Sequence, residues 1–353
     1  MTAQQVPTPR SRLVGLDLAR YLAFVGMVVV NFKIVMGVQA DGSFFYTVTS
    51  ALEGRAAATF VALAGIGLGL ASVMGVAQTV LVTLKRALFL LVIGLLNMLI
   101  FPADILHYYA FYFFFGVLLL PFGNRVLIAA IVALNLTFVV LILTLNFEAG
   151  WNWVDLTYSD FWTPTGFVRN LFFNGWHPVI PWLGFFLYGI VLSRLALAER
   201  TVQIKLVAFG ALAFVFAEGL SLWLSGVLGA IDPELVDLAT TQPLPPMPLY
   251  TIAGLGVASV VVGVCLMGAG WCERWGILRV ITPAGRQTLT LYIAHILIGM
   301  GTLEALGMIG GQTVAQAVWA TVIFCGAATV YALVWARWFK RGPIEDGMRR
   351  LAG

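Results

Sequence analysis

Apolar residues in this chain do not alternate with polar ones; they gather in long runs separated by short polar or proline-containing breaks. A helix that crosses a bilayer needs about 20 apolar residues. Ten runs approach that length: 14–36, 56–77, 87–101, 106–120, 126–147, 179–196, 206–230, 249–271, 287–303 and 313–336. The third and fourth are short and split by Pro102 and Asp104, which leaves two full spans or a broken, re-entrant pair open. A transmembrane barrel needs alternating polarity, and these runs exclude it. The pattern therefore predicts an all-α polytopic membrane protein with about ten transmembrane helices. Asp17, Arg20 and Lys33 interrupt the first run and no small-x-small cleavage site follows, so it reads as a retained span and not a cleaved leader.

Composition narrows the class further. Of 353 residues, 61% are hydrophobic and 10% charged, against about 25% charged in soluble domains. So few charges cannot cover a globule, which excludes cytosolic enzymes, secreted globules, nucleic-acid binders and disordered chains. The net charge of +4 reads as orientation. With ten spans and the N-terminus inside, all Lys and Arg except Arg20, Lys33, Arg55 and Arg169 fall on one face, sixteen of the twenty, Arg10 and Arg12 among them. The positive-inside rule then makes both termini cytoplasmic. The expected organisation is a cytoplasmic tail 1–13, a transmembrane helical domain 14–336 and a cytoplasmic tail 337–353. An outer loop 148–178, rich in Trp and Phe, is expected to lie in the headgroup interface as a short helix and turns, where it could cap a site. Cys265, Cys272 and Cys325 have no metal-ligand spacing, so neither zinc nor a disulfide is expected.

Ionisable groups inside a span cost on the order of 2.5–3.5 kcal/mol each at the helix centre, so those retained here point to chemistry or to a buried partner. Asp17 and Arg20 share one face of the first helix, and Asn31 returns to nearly the same angle at about 100° per residue. That stripe rises about 16 Å from Arg20 to Asn31; the alternative is an Asp17–Arg20 pair at the headgroups with Asn31 bonded to a neighbouring helix. In Asp104-Ile105-Leu106-His107 the carboxylate can cap the fourth helix and hold one nitrogen of His107, half of a general-base arrangement, or His107 can be an interfacial anchor. In Trp176-His177-Pro178-Val179-Ile180-Pro181 the prolines suit a helix start, whose positive end would stabilise negative charge developing beside His177. Glu218 and His295 read as the deepest titratable groups and could pair as a proton relay. Gly65-Ile66-Gly67-Leu68-Gly69 has no preceding strand and reads as a helix contact, not a nucleotide loop.

These residues carry a resemblance. RLVGLDLARYLAFVGMVVVNF (12–32) resembles the N-terminal signature of the transmembrane acyltransferase superfamily. PADILHYYAFYFFFG (102–116), PAGRQTLTLYIAH (283–295) and WARWFKRGPIEDGMRRL (335–351) are similar to its bacterial YeiB-like branch. WHPVIPWLGFFLYGIVLSR (176–194) resembles bacterial relatives of heparan-α-glucosaminide N-acetyltransferase. The resemblance implies acyl transfer from cytoplasmic acyl-CoA, through a site inside the bacterial cytoplasmic membrane, to a hydroxyl or amine of a sugar, lipid or polymer beyond it. It places Asp17 and Arg20 at the inner entrance, Asn31 at the reaction centre, and Asp104 and Arg286 in the YeiB-like motifs. Those acetyltransferases carry a histidine in the first outer loop; residues 37–54 here contain none.

Two functions follow as expectations. As an acetyltransferase, the chain would use His177, ranked above His107 with Asp104, as base. Asn31 and the helix start near Pro178 would serve as oxyanion donors, and Arg20, Arg286, Lys85 and Arg86 as phosphate ligands. As a transporter or flippase for a lipid-linked or small anionic molecule, it would use Glu218 and His295. The expected partners are membrane lipids, acyl-CoA as donor substrate, an extracytoplasmic acceptor and, as an open alternative, a second copy of the chain; no metal and no nucleic acid are expected.

Overall fold

In lipid a segment must satisfy its own backbone hydrogen bonds, which a helix does alone, and this chain is helical nearly throughout. The computed structural model describes residues 13–72 and 76–353. Arg10, Arg12, the tail before residue 13 and residues 73–75 of the second predicted run lie outside the described residues.

In chain order the helices are α1 (Val14–Val35), α2 (Phe44–Ser50), α3 (Arg55–Ala71), α4 (Val76–Met98), α5 (Leu106–Leu119) and α6 (Asn124–Thr144). Strands β1 (Trp151–Asn152) and β2 (Thr157–Tyr158) follow, then α7 (Pro164–Arg169), a π-helical turn Asn170–Asn174 and α8 (Val179–Ser193). The second half contains α9 (Arg200–Gly229), α10 (Pro248–Arg274), α11 (Ile277–Arg286), α12 (Thr288–Ala294), a π-helical turn His295–Met300, α13 (Gly301–Ala305), α14 (Val314–Trp335) and α15 (Pro343–Ala352). Among the described residues, eight helical stretches are long and apolar enough to cross a membrane. The pair Pro164–Asn174 and Val179–Ser193, bent by 52°, is a broken span or a re-entrant loop, and α5, with 14 residues, is a shorter apolar helix.

Two expectations are corrected. The third run is longer than expected: α4 begins well before residue 87 and is long and apolar enough to cross a membrane. The break at residues 99–105 separates it from the short α5, and a further bend lies between Asn174 and Val179. The outer loop 148–178 is not only helix and turns. It opens with an antiparallel hairpin pairing Trp151 with Tyr158, and Arg169 holds that hairpin through Tyr158 Oη (2.6 Å) and Asp160 (2.6 Å).

Polar side chains and prolines set the helix starts. Thr313 and Gln316 form a capping box on α14, Ser43 accepts from the Tyr46 amide at the start of α2, and Pro248 and Pro343 occupy first turns, where a missing N–H costs nothing. Chain direction alternates through the bundle. Arg286, before α12, stands against Asp17 at the start of α1, while Gly310, after α13, donates to Val35 at its end. The end carrying Arg194, Arg200 and Arg286 is called the basic end below, and that carrying Glu53, Asp155 and Asp160 the acidic end.

α1 lies inside the bundle against α3, α10, α11 and α14, whereas α6 and α9 turn large apolar side chains such as Leu136, Leu143, Leu212 and Leu222 outward. Lipid-facing apolar surface costs nothing, so the interior is free to hold polar groups. α3 packs closely on α8. A Cβ at Gly65 would overlap the Phe186 carbonyl and one at Gly189 the Ala62 carbonyl, so the glycine run of α3 acts as the expected close-contact face.

Candidate functional site

The acidic end encloses a cavity of about 870 Å³ whose walls include Asn31, Lys33, Glu53, Trp153, Asp155, Trp176, His177 and Tyr292. The hairpin of the outer loop forms part of the wall, and its indoles brace one another: Trp151 stacks on Trp153 at 4.4 Å and meets Trp176 edge-on. Within the loop Asn174 donates to Phe147 and Ala149 and accepts from Tyr158. Asn174 ends the π turn and so ties the cap to the bend before α8.

Asn31 reaches this cavity held by a partner that periodicity could not supply. Its Nδ2 lies 3.0 Å from His295 Nε2, and the other ring nitrogen, Nδ1, bonds the Tyr292 carbonyl. A carbonyl only accepts, so Nδ1 carries the proton, Nε2 is the acceptor, and the Asn31 amide donates to it. The π turn beginning at His295 shifts the helix register there; such turns recur at functional positions. Tyr292 continues the chain. Its hydroxyl donates to Asp104 (3.2 Å) and accepts from the Ile105 amide, and Asp104 also accepts from Asn97 (2.7 Å) and the Leu106 amide (2.8 Å). Asn97, Asp104, Tyr292, His295 and Asn31 thus form one polar path linking α1, α4, the α4–α5 connection and α12.

His107 does not take the place expected of it. Asp104 does cap α5, yet it stands 3.8 Å from His107 Nδ1, too far for a hydrogen bond, because Asn97, Tyr292 and the Leu106 amide already engage both its oxygens. Among the described residues neither His107 nitrogen has a hydrogen-bond partner; the ring is fully buried against Tyr108 and does not line the cavity. His177 does line it, half-buried, with Nδ1 unpartnered among the described residues and its ring edge-on to Trp182 at 4.6 Å. The helix start behind it differs from expectation. Pro178 and Val179 are not among the cavity walls, and Ile180 is non-helical, so the first turn of α8 presents no row of amides there.

Lys33 and Glu53 were not anticipated as site residues. Lys33, 5% exposed, donates to Glu53 (2.7 Å) and Ser50 (2.5 Å) and lies over the Tyr46 ring. The signal was present: a lysine near the end of a span needs an anion, and Glu53 precedes the next, antiparallel span. Glu218 and His295 do not form a relay. Glu218 bonds Arg55 at 2.5 Å, and Arg55 also donates to Thr241 (3.2 Å), while His295 is committed to Asn31 and Tyr292.

At the basic end Asp17, 1% exposed, lies 2.9 Å from Arg20 and 3.9 Å from Arg286. Gly285 makes this approach feasible, since a Cβ there would overlap the Asp17 carbonyl. Two guanidinium groups thus stand beside one buried carboxylate. Lys85 is exposed, and Arg86 belongs to a second basic group with Arg341 and Arg349, where α15 crosses α4. Among the described residues no group of three or more His, Cys, Asp or Glu is placed to hold a metal.

Helices with lipid-facing apolar flanks, a set of linked polar side chains and a cavity at one end define a polytopic membrane protein. Residues 12–225 match the family described as heparan-alpha-glucosaminide N-acetyltransferase, catalytic, and residues 199–353 match a protein family of unknown function, DUF418. The first match covers more than half of the chain, which belongs to that family and, with the YeiB-like second match, to the transmembrane acyltransferase superfamily. No curated protein and no solved structure matches it. The polar path joins the two matched regions, Asn31 and Asp104 coming from the first and Tyr292 and His295 from the second.

Proposed function

We propose that this protein moves an acetyl group from acyl-CoA, bound at its basic end, to a hydroxyl or amine entering the cavity at its acidic end. The observation that carries the reading is that Asn31 and His177 line one cavity while Arg20, on the same helix as Asn31, meets Arg286 about 16 Å away along α1. A thioester needs little activation; the acceptor needs a base and the tetrahedral oxyanion needs donors. His177 takes the proton as the acceptor attacks the thioester carbonyl. One N–H of Asn31 is spent on His295, which leaves the second for the oxyanion. Collapse of the intermediate expels the thiolate of coenzyme A, which takes the proton. Asp17 orients Arg20 and Arg286, whose forks match phosphate oxygens.

The same reading makes the basic end and the tail 337–353 cytoplasmic, treats 14–336 as one transmembrane unit, and puts the loop 148–178 on the far side of the bacterial cytoplasmic membrane. The experiment is donor affinity and acetyl turnover in reconstituted membrane. Arg20→Ala should weaken donor binding, and His177→Ala should lower kcat with donor affinity little changed. Full turnover in His177→Ala removes it as the base.

A further inference from the structure

A second concavity lies apart from the reaction path, on the flank of the bundle's basic half. α8 packs on α3 and α9 packs on α10, and the space left between the two pairs is a slot of about 590 Å³. Its floor is set by a close approach of α9 and α10 at Gly210 and Gly256, where a Cβ on either residue would come within 2.6 Å of the other's carbonyl. A contact this close has no room for a side chain, so the slot is built into the packing.

Three features specify the occupant. The walls are almost wholly apolar, with exposed Leu195 and Phe209 opening the slot sideways, and the hydroxyl pair Tyr188–Ser259, already bonded to each other at 2.6 Å, is the polar exception in its depth. On α9 the lining runs from Val202 to Ala213, a rise of about 16 Å, which is half of the ~30 Å hydrocarbon thickness of a bilayer. The slot is therefore one leaflet deep. Lys205, the one charged residue in the lining, sits at its basic end, exposed and without an ion pair among the described residues, with Glu199 and Arg200 one to two turns before it.

We infer that the α8–α9–α10 slot holds an acyl chain of one anionic phospholipid from the leaflet at the basic end, with Lys205 on its phosphate. An apolar chain fills the depth, and a lysine at headgroup height favours a lipid with net negative charge over a zwitterionic one. The site is separate from the acetyl-transfer path and does not depend on that reading.

The test uses the full chain in nanodiscs of equimolar phosphatidylglycerol and phosphatidylcholine, followed by native mass spectrometry of the released protein. The wild type should keep one phosphatidylglycerol in at least several-fold excess over phosphatidylcholine. Ala213→Trp, which fills the slot, should lose that lipid about tenfold. Lys205→Glu, at an exposed rim where folding is not at stake, should lose the preference for phosphatidylglycerol. A wild type that carries no lipid, carries free fatty acid instead, or shows the same headgroup preference as Lys205→Glu would overturn the inference, as would equal retention in Ala213→Trp.

Discussion

Replacing His295 by alanine tests whether the path behind Asn31 organises the reaction. The substitution removes the acceptor 3.0 Å from Asn31 Nδ2 and the donor to the Tyr292 carbonyl, on a side chain with no exposed surface. Interhelical hydrogen bonds in membranes average about 0.6 kcal/mol with a maximum near 1.7, so folding should suffer little. Catalysis should suffer more. Loss of one oxyanion donor costs about 10²–10³ in kcat, and a displacement of about 1 Å at a reacting group costs about 10². Asn31→Ala should therefore lower kcat by about 10²–10³, and His295→Ala by about 10². Because both act through the Asn31 amide, the double variant should be no slower than Asn31→Ala alone, a coupling of about 2.7 kcal/mol. His295→Gln, which keeps an acceptor, should recover part of the loss, and donor affinity should be unchanged throughout. The assay is acetyl turnover with donor binding in proteoliposomes. Additive losses, or a His295→Ala defect confined to thermal stability, would mean that His295 does not act through the Asn31 amide.

Three further outcomes follow. Gly65→Ala should lower the thermal midpoint in detergent by an amount equivalent to about 1–3 kcal/mol through overpacking against Phe186, whereas Gly67→Ala, whose Cβ would rest 3.7 Å from Arg20, should be tolerated; equal effects would contradict the α3–α8 contact. Glu218→Gln should leave acetyl turnover unchanged, since its partner is Arg55, and a loss like that of His295→Ala would restore the relay. Burial raises the Glu345 carboxyl above its ordinary 4.5, although hydrogen bonds from Thr290 and Leu289 oppose this. A raised carboxyl keeps its proton to higher pH in the folded chain, so its contribution to α15 docking is fullest below 4.5 and is lost as pH rises through the raised value. Hydrogen exchange of residues 343–352, corrected for intrinsic rate, should quicken from pH 4.5 towards neutral and stay flat in Glu345→Gln.

The membrane class and the alternation of spans were legible because apolar runs of bilayer length are a physical requirement. The spacing of Asp17 and Arg20 gave their pairing for the same kind of reason, since three residues apart on a helix is one face. α4 was clipped because Lys85 and Arg86 break its apolar run, although they sit where α15 covers it or at its exposed edge. The hairpin at Trp151 was missed because two-residue strands leave no period to detect. Asn31 and His295 are 264 positions apart, and Arg55 and Glu218 163 apart; helical periodicity fixes a face but not the helix it meets. Asp104 and His107 show the converse error: correct spacing for a dyad, with the carboxylate oxygens claimed by three other donors.

On the proposed function, acetyl groups cross from the basic end to a cavity holding Asn31 and His177. The most direct measurement loads vesicles with labelled acetyl-CoA on the side facing the basic end and offers amine and hydroxyl acceptors on the other, then follows labelled product by mass spectrometry. The wild type should form acetylated acceptor, Asn31→Ala about 10²-fold less or lower, and His177→Ala should show a comparable loss with donor binding retained. Product formed equally by all three chains, or flux of acceptor across the membrane with no acetylated product, would contradict the proposed function.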